Sequence, residues 1–201
     1  MSTIITSIDP GSPAMRAGLQ PGQQLLSING HAVVDVLDYR FYGYDPVSHL
    51  SLKNKDGSTQ KLTIHKAEGE DLGLNFDSYL MDEMRSCANH CIFCFVDQMP
   101  PGMRQTLYFK DDDARLSFLL GNYITLTNLT EREAQRIIDL RISPINVSVH
   151  TTDPQLHCTM LGNKNAVRSL DYIRAFCKAG IVMNGQIVVC PGWNDGDQLR
   201  R

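Results

Sequence analysis

The chain has no apolar run approaching the length that a membrane-spanning helix needs. Its first residues, Met1-Ser2-Thr3-Ile4-Ile5, lack the basic segment and long apolar core of a secretory signal. Positive charge is not in excess: 19 Lys and Arg stand against 22 Asp and Glu, a formal net charge of −3. That balance excludes the electrostatic footprint of a protein that binds nucleic acid or an anionic membrane. A disulfide framework is missing too. The six cysteines fall into two groups of three. Without a secretion signal, such grouping points to metal chemistry in a reducing cytoplasm. The rest of the composition is that of an ordinary globular protein, and 201 residues allow one large or two small domains.

What is present is concentrated in Cys87-Ala88-Asn89-His90-Cys91-Ile92-Phe93-Cys94, a C-x₃-C-x₂-C spacing. A loop wrapped around one centre would let these thiolates face the same point. A structural zinc site wants four protein ligands, and an iron–sulfur cube has four corners, so this loop leaves one position for another group. Zinc held by the cysteines with His90 or a distant ligand is one reading, and an iron–sulfur cluster is the other. His90 adjoins Cys91, and neighbours in a tight loop seldom point the same way, so His90 reads as a loop hydrogen-bonding residue.

With Phe93 placed before the last cysteine, the spacing resembles the signature of radical S-adenosylmethionine (SAM) enzymes. The resemblance implies that Cys87, Cys91 and Cys94 hold a [4Fe-4S] cluster whose fourth iron is chelated by SAM. One electron, from a donor such as a flavodoxin or ferredoxin, then cleaves SAM to methionine and a 5′-deoxyadenosyl radical that abstracts hydrogen from a substrate.

Ahead of the loop, Ile4–Ile8 reads as a short strand, and Ser12-Pro13 as the cap and first position of a short helix ended by Gly18. Leu25–Ile28 is a strand leading into the tight turn Asn29-Gly30. Asp35 caps a second helix, and Leu50–Leu52 pairs with Lys61–Ile64 around Lys55-Asp56-Gly57. This order resembles a bacterial PDZ domain, with one departure. The Gly-Leu-Gly-Phe-like loop appears at the end, as Gly73-Leu74-Asn75-Phe76, which implies a circular permutation that brings it beside Ile4–Ile8. The resemblance assigns Leu72, Gly73, Leu74, Asn75 and Phe76 to capture of a peptide or protein C-terminus. A groove filled by the chain itself is the other reading.

Ser78–Met84 is expected as the strand that leads into the loop, and, after it, Asp111-Asp112-Asp113 as a solvated loop, with a metal site as the lesser reading. Tyr123–Thr127 alternates as a strand, Thr130–Glu133 forms a capping box, and Ile145–Val149 is the next strand. Asp153-Pro154 opens a helix ended near Gly162. A further helix buries Ala166, Leu170, Ile173 and Cys177 before Gly180, and Gln186–Cys190 reads as a buried strand. Alternating strands and helices predict a parallel sheet with its chemistry at the strands' C-terminal ends. Those ends supply Thr127, Asn128, Ser148 and His150, and with Phe93 they are the expected SAM or substrate contacts. Ser148 and His150, two apart, are expected on one strand face. The Gly-Gly-Glu-Pro motif of radical SAM enzymes is not present as such.

The expected architecture is therefore α/β: a mainly-β PDZ-like domain over residues 1–76, then a partial radical-SAM-type (βα) barrel over residues 77–201. Asp195 or Asp197 reads as the N-cap of a helix not reached, so the barrel is expected to be incomplete at its C-terminus. The combination resembles an uncharacterised bacterial family of iron–sulfur oxidoreductases carrying a C-terminal domain of unknown function. An electron-transfer iron–sulfur protein and a zinc-stabilised PDZ-type scaffold are the rival readings.

Overall fold

Residues 3–200 are described by a computed structural model, and the chain parts between Glu83 and Met84 into two units. In the first unit, Ser12 accepts a hydrogen bond from the Met15 N–H and Pro13 occupies the first turn, so α1 (Pro13–Arg16) starts where its cap dictates. Strand β1 is Ser7–Ile8. The hairpin of β2 (Gln24–Ile28) and β3 (His31–Ala32) closes through Asn29 and Gly30, both at positive φ as a two-residue hairpin turn requires. Asp35 caps α2 (Val36–Tyr42) through the Leu37 N–H. Strands β4 (Val47–Lys53) and β5 (Thr59–His65) complete an antiparallel sheet of order β3-β2-β4-β5. Leu25, Ile28, Leu50 and Leu52 are fully buried in it, with Ile5 and Leu72. Strand β6 (Leu74–Asn75) pairs antiparallel with β1, Ser7 opposite Asn75. Gly73 makes this junction possible. Its φ is +79°, and a Cβ there would lie 2.3 Å from the Ser12 Cβ.

In the second unit, α3 (Ala114–Leu120) is capped by Asp113 and ended by Gly121 in the left-handed conformation. Helix α4 (Glu131–Asp139) starts with the complete capping box of Thr130 and Glu133. Strand β7 (Ile145–Ser148) is followed by α5 (Pro154–Leu161) and α6 (Val167–Lys178), and then by β8 (Met183–Gln186), which pairs parallel with β7. Ile124 bridges to Val147 in the same parallel sense. The unit is thus α/β around short parallel pairing, and no closed barrel forms among the described residues. No helix among them is long and apolar enough to cross a membrane.

Several local expectations are corrected. Tyr123–Thr127 reduces to the single bridge at Ile124, because the Thr125 N–H donates to the Asp112 carboxylate, 2.6 Å away, instead of to a neighbouring strand. The last strand is Met183–Gln186 and not Gln186–Cys190; Ile187, Val188 and Val189 are exposed. Residues 78–84 form turns and bends, with Met81 at φ +66°. Asp112 and Asp113 are buried, not solvated. On α6, Phe176 takes the buried place expected of Cys177, which is exposed.

Candidate functional site

The cysteine loop is clasped by its backbone. Cys87 N–H donates to the Lys110 carbonyl at 2.6 Å, His90 N–H to the Leu161 carbonyl at 2.9 Å, and Ile92 N–H to the Met160 carbonyl at 3.0 Å. The last two bonds seat the loop on the C-terminal end of α5. That seat needs Gly162: its φ is +58°, and a Cβ there would lie 2.4 Å from the His90 carbonyl oxygen. His90 joins this clasp through its backbone N–H.

All three loop cysteines are free and half-buried. Burial pushes the Cys87 thiol up, and it pushes Cys91 up to about 12, with the neighbouring Cys87 and Cys94 adding to the effect. Lys110 pulls Cys91 the other way. The thiols are therefore gathered within electrostatic reach of one another. They are not closed on a point: no group of His, Cys, Asp or Glu among the described residues is set to hold a metal ion.

Behind the loop lies a polar interior that the residue pattern did not disclose. Asn89, 1 % exposed, donates from Nδ2 to Thr125 Oγ1 at 2.9 Å, and its Oδ1 accepts from Thr127 Oγ1 at 3.0 Å and from Asn163 Nδ2 at 2.7 Å. Its carbonyl accepts from Lys110 Nζ at 3.1 Å, and the same ammonium pairs with Asp97 at 3.0 Å. Thr125 in turn donates to Asp112 from both its N–H and its hydroxyl. Burial raises the Asp112 carboxyl to about 6 against these two bonds. Asp113 goes the other way: burial works to raise it, but the Arg115 guanidinium holds it below the usual carboxylate range.

The expected contacts divide as follows. The Phe93 ring lies 4.4 Å from the His150 ring, centroid to centroid and tilted by 59°. Thr127 reaches the loop through Asn89. Asn128 Nδ2 donates to the carbonyls of Ser86 and Asp112, so it tethers the residue before Cys87. Ser148 is held in β7 by its backbone, with its N–H on the Ile124 carbonyl. His150 does not share its strand face: β7 ends at Ser148, and His150 adopts φ +54°. Its Nδ1 accepts from the Val188 N–H at 3.1 Å. That bond needs the neutral ring with its proton on Nε2, and burial, assisted by His157, lowers His150 to about 4. Asn194 completes this corner by donating to the His150 and Val188 carbonyls.

In the first unit, two backbone donors of the Leu72–Phe76 loop are engaged. Gly73 N–H donates to Asp71 Oδ1 at 2.7 Å, and Leu74 N–H to the Tyr39 hydroxyl at 3.2 Å. The Tyr39 hydroxyl donates to the same Asp71 oxygen at 2.7 Å. Burial, and then Asp71, raise the Tyr39 phenol well above its ordinary value. Asn75 pairs with β1, and the Phe76 ring meets Tyr39 edge-on at 5.5 Å.

Asn89, Lys110, Asp112, Thr125, Asn163 and Asn194 were missed as site residues by sequence reasoning. One signal was legible: an uncharged amide set between the loop's cysteines needs partners of its own. Comparison with protein-family models matches residues 66–201 to the Radical SAM-like domain and residues 4–53 to a PDZ domain. A search of curated proteins finds no match.

Proposed function

The chain belongs to the radical SAM-like family over residues 66–201, and from that premise we propose that it is a radical SAM-type iron–sulfur enzyme. The observation that carries the reading is the gathered, half-buried thiol set of Cys87, Cys91 and Cys94 on a clasped loop. The donor set fits the group in chemistry and number: soft thiolates suit an iron–sulfur cluster, and the three leave its fourth iron to SAM. The bound cluster would supply the electron that cleaves SAM to the 5′-deoxyadenosyl radical, acting on a substrate still to be found.

The chain's own residues do the rest. Phe93 and His150 place two tilted aromatic rings side by side beside the loop, and either ring face could stack on the adenine of SAM. The neutral His150 ring adds no charge there. Thr127, Asn128 and Ser148 are the polar contacts assigned to SAM or substrate. Delivery of the electron by a flavodoxin or ferredoxin, a cytoplasmic location and presentation of a peptide through Leu72–Phe76 belong to the same proposal.

The test is anaerobic reconstitution of the chain with iron and sulfide, metal and sulfide counts, and EPR of the reduced protein with and without SAM. Four irons and a signal that shifts on adding SAM support the reading. An iron–sulfur signal indifferent to SAM leaves an electron carrier, and zinc without sulfide leaves a PDZ-type scaffold. Cys91→Ala is expected to lose both the cluster and SAM cleavage.

A further inference from the structure

Asn89 lies between two of the cysteines and contributes no ligand, yet it is the most connected side chain of the loop. Its amide reaches Thr125, Thr127 and Asn163, residues 36, 38 and 74 positions away in the chain. It is 1 % exposed, and every polar atom of the side chain is used. The acceptor Oδ1 takes two donors and Nδ2 gives one bond, a pattern that fixes which way the amide is turned. The backbone of the same residue carries two further contacts. Its N–H points to Cys87 Sγ at 3.4 Å, and its carbonyl holds the Lys110 ammonium.

A residue that only filled space here would be better apolar. Burying an amide costs free energy unless its hydrogen bonds are made, so four polar contacts from one side chain and its carbonyl indicate a demand for orientation. The loop's orientation is what decides whether an N–H faces a cysteine sulfur. Hydrogen bonds to ligand sulfurs and the residues that orient the ligands tune both affinity and reduction potential.

We propose that Asn89 is the positioning residue of the cysteine loop, its side chain anchoring the loop to Thr125, Thr127 and Asn163 so that its own N–H is held on the Cys87 sulfur and its carbonyl holds the Lys110 ammonium beside the thiols. The inference rests on the reading of Cys87, Cys91 and Cys94 as cluster ligands. Asn163 is the outer support of this arrangement, since it reaches the loop only through the Asn89 oxygen and, with Asn165, forms a turn of its own.

The test uses the full chain reconstituted anaerobically with iron and sulfide, comparing wild type, Asn89→Ala and Asn163→Ala. Two quantities are read: the rate at which a ferrous chelator strips iron, and the cluster's midpoint potential. Asn89→Ala is expected to release iron about 10-fold faster or more, the size seen when an orienting partner of a metal ligand is removed, and to have a lower potential as the N–H contact to sulfur is lost. Asn163→Ala is expected to move both in the same direction by a smaller factor. If wild type takes up no iron and sulfide, the cluster reading itself falls. If wild type holds its cluster and both variants match it in release rate and potential, the positioning role is wrong. Should Asn89→Ala fail to fold by circular dichroism, Asn163→Ala alone decides, and wild-type values there overturn the proposal.

Discussion

Two buried groups in the second unit titrate against each other, and single substitutions should uncover each. His150 is lowered to about 4 from 6.5. The unfolded chain therefore takes up a proton below 6.5 that the folded chain refuses until about 4, and this contribution to stability is lost as pH falls through that window. The gap corresponds to about 3 kcal/mol. Asp112 is raised to about 6 from 3.8. Here the folded chain takes the proton first, so stability grows as pH falls from about 6 towards 3.8, by about 2 kcal/mol down to pH 4.5. In the wild type the two slopes largely cancel. His150→Gln removes the first, so its stability relative to wild type should rise by about 2 kcal/mol between pH 7 and pH 4.5, most of the full gap. Asp112→Asn removes the second and should drift the other way by about 2 kcal/mol. The chain has one tryptophan, Trp193, and it lies in the second unit. Urea unfolding of the metal-free chain followed by Trp193 fluorescence thus reports on the right unit, and midpoint shifts of about 1–2 M are expected for such energies. His157, also lowered by burial, is present in all three proteins and drops out of the Asp112→Asn difference; because it interacts with His150, the His150→Gln difference reports the pair. The reasoning is refuted if the gap between each variant and wild type is the same at pH 7 and pH 4.5.

Gly162→Ala should displace the cysteine loop, since the new methyl meets the His90 carbonyl and the backbone is left-handed; a loss of about 1–3 kcal/mol is expected in the same unfolding assay. Tyr39→Phe leaves the buried Leu74 N–H without its acceptor and should cost about 1–3 kcal/mol. That loss should appear in circular dichroism of the first unit's transition and not in Trp193 fluorescence. Thr130→Ala breaks the capping box of α4 and should cost about 1 kcal/mol, read from the thermal midpoint of the second unit.

Features written in local chemistry were legible in the sequence. Caps at Ser12, Asp35, Thr130 and Asp153, and glycine stops at Gly18, Gly162 and Gly180, act within a few residues of themselves, so a short window contains the cause. The hairpin at Asn29-Gly30 is of the same kind. What failed depends on partners distant in the chain. Tyr123–Thr127 has the alternation of a strand, but a carboxylate 13 residues upstream captures the Thr125 N–H and stops the ladder. The apolar run Ile187–Val189 reads as buried because periodicity registers hydrophobicity and not pairing; the pairing with β7 ends at Gln186. The acidic run Asp111–Asp113 reads as solvated because charge is visible in sequence and the compensating Thr125 and Arg115 are not. For the site, the C-x₃-C-x₂-C spacing exposed the cysteines, whereas Asn89 and its partners form a constellation with no spacing at all.

The same distinction bears on the Leu72–Phe76 loop. A PDZ-type loop takes a peptide carboxylate on its free backbone N–H groups. In this chain the Gly73 N–H is already on the Asp71 carboxylate and the Leu74 N–H on the Tyr39 hydroxyl. An incoming C-terminus must therefore exchange places with a side-chain carboxylate of the same charge that is tethered two residues away. Two carboxylates sharing these donors repel each other, so the exchange gains little unless the peptide's side chains supply the difference. Asp71 is exposed, and its carboxylate can swing out into water at small cost; Tyr39 is buried and cannot follow. On the proposal that this loop takes a peptide, Asp71 is the residue that must give way, and it is there that the groove filled by its own chain and the groove open to a partner are distinguished.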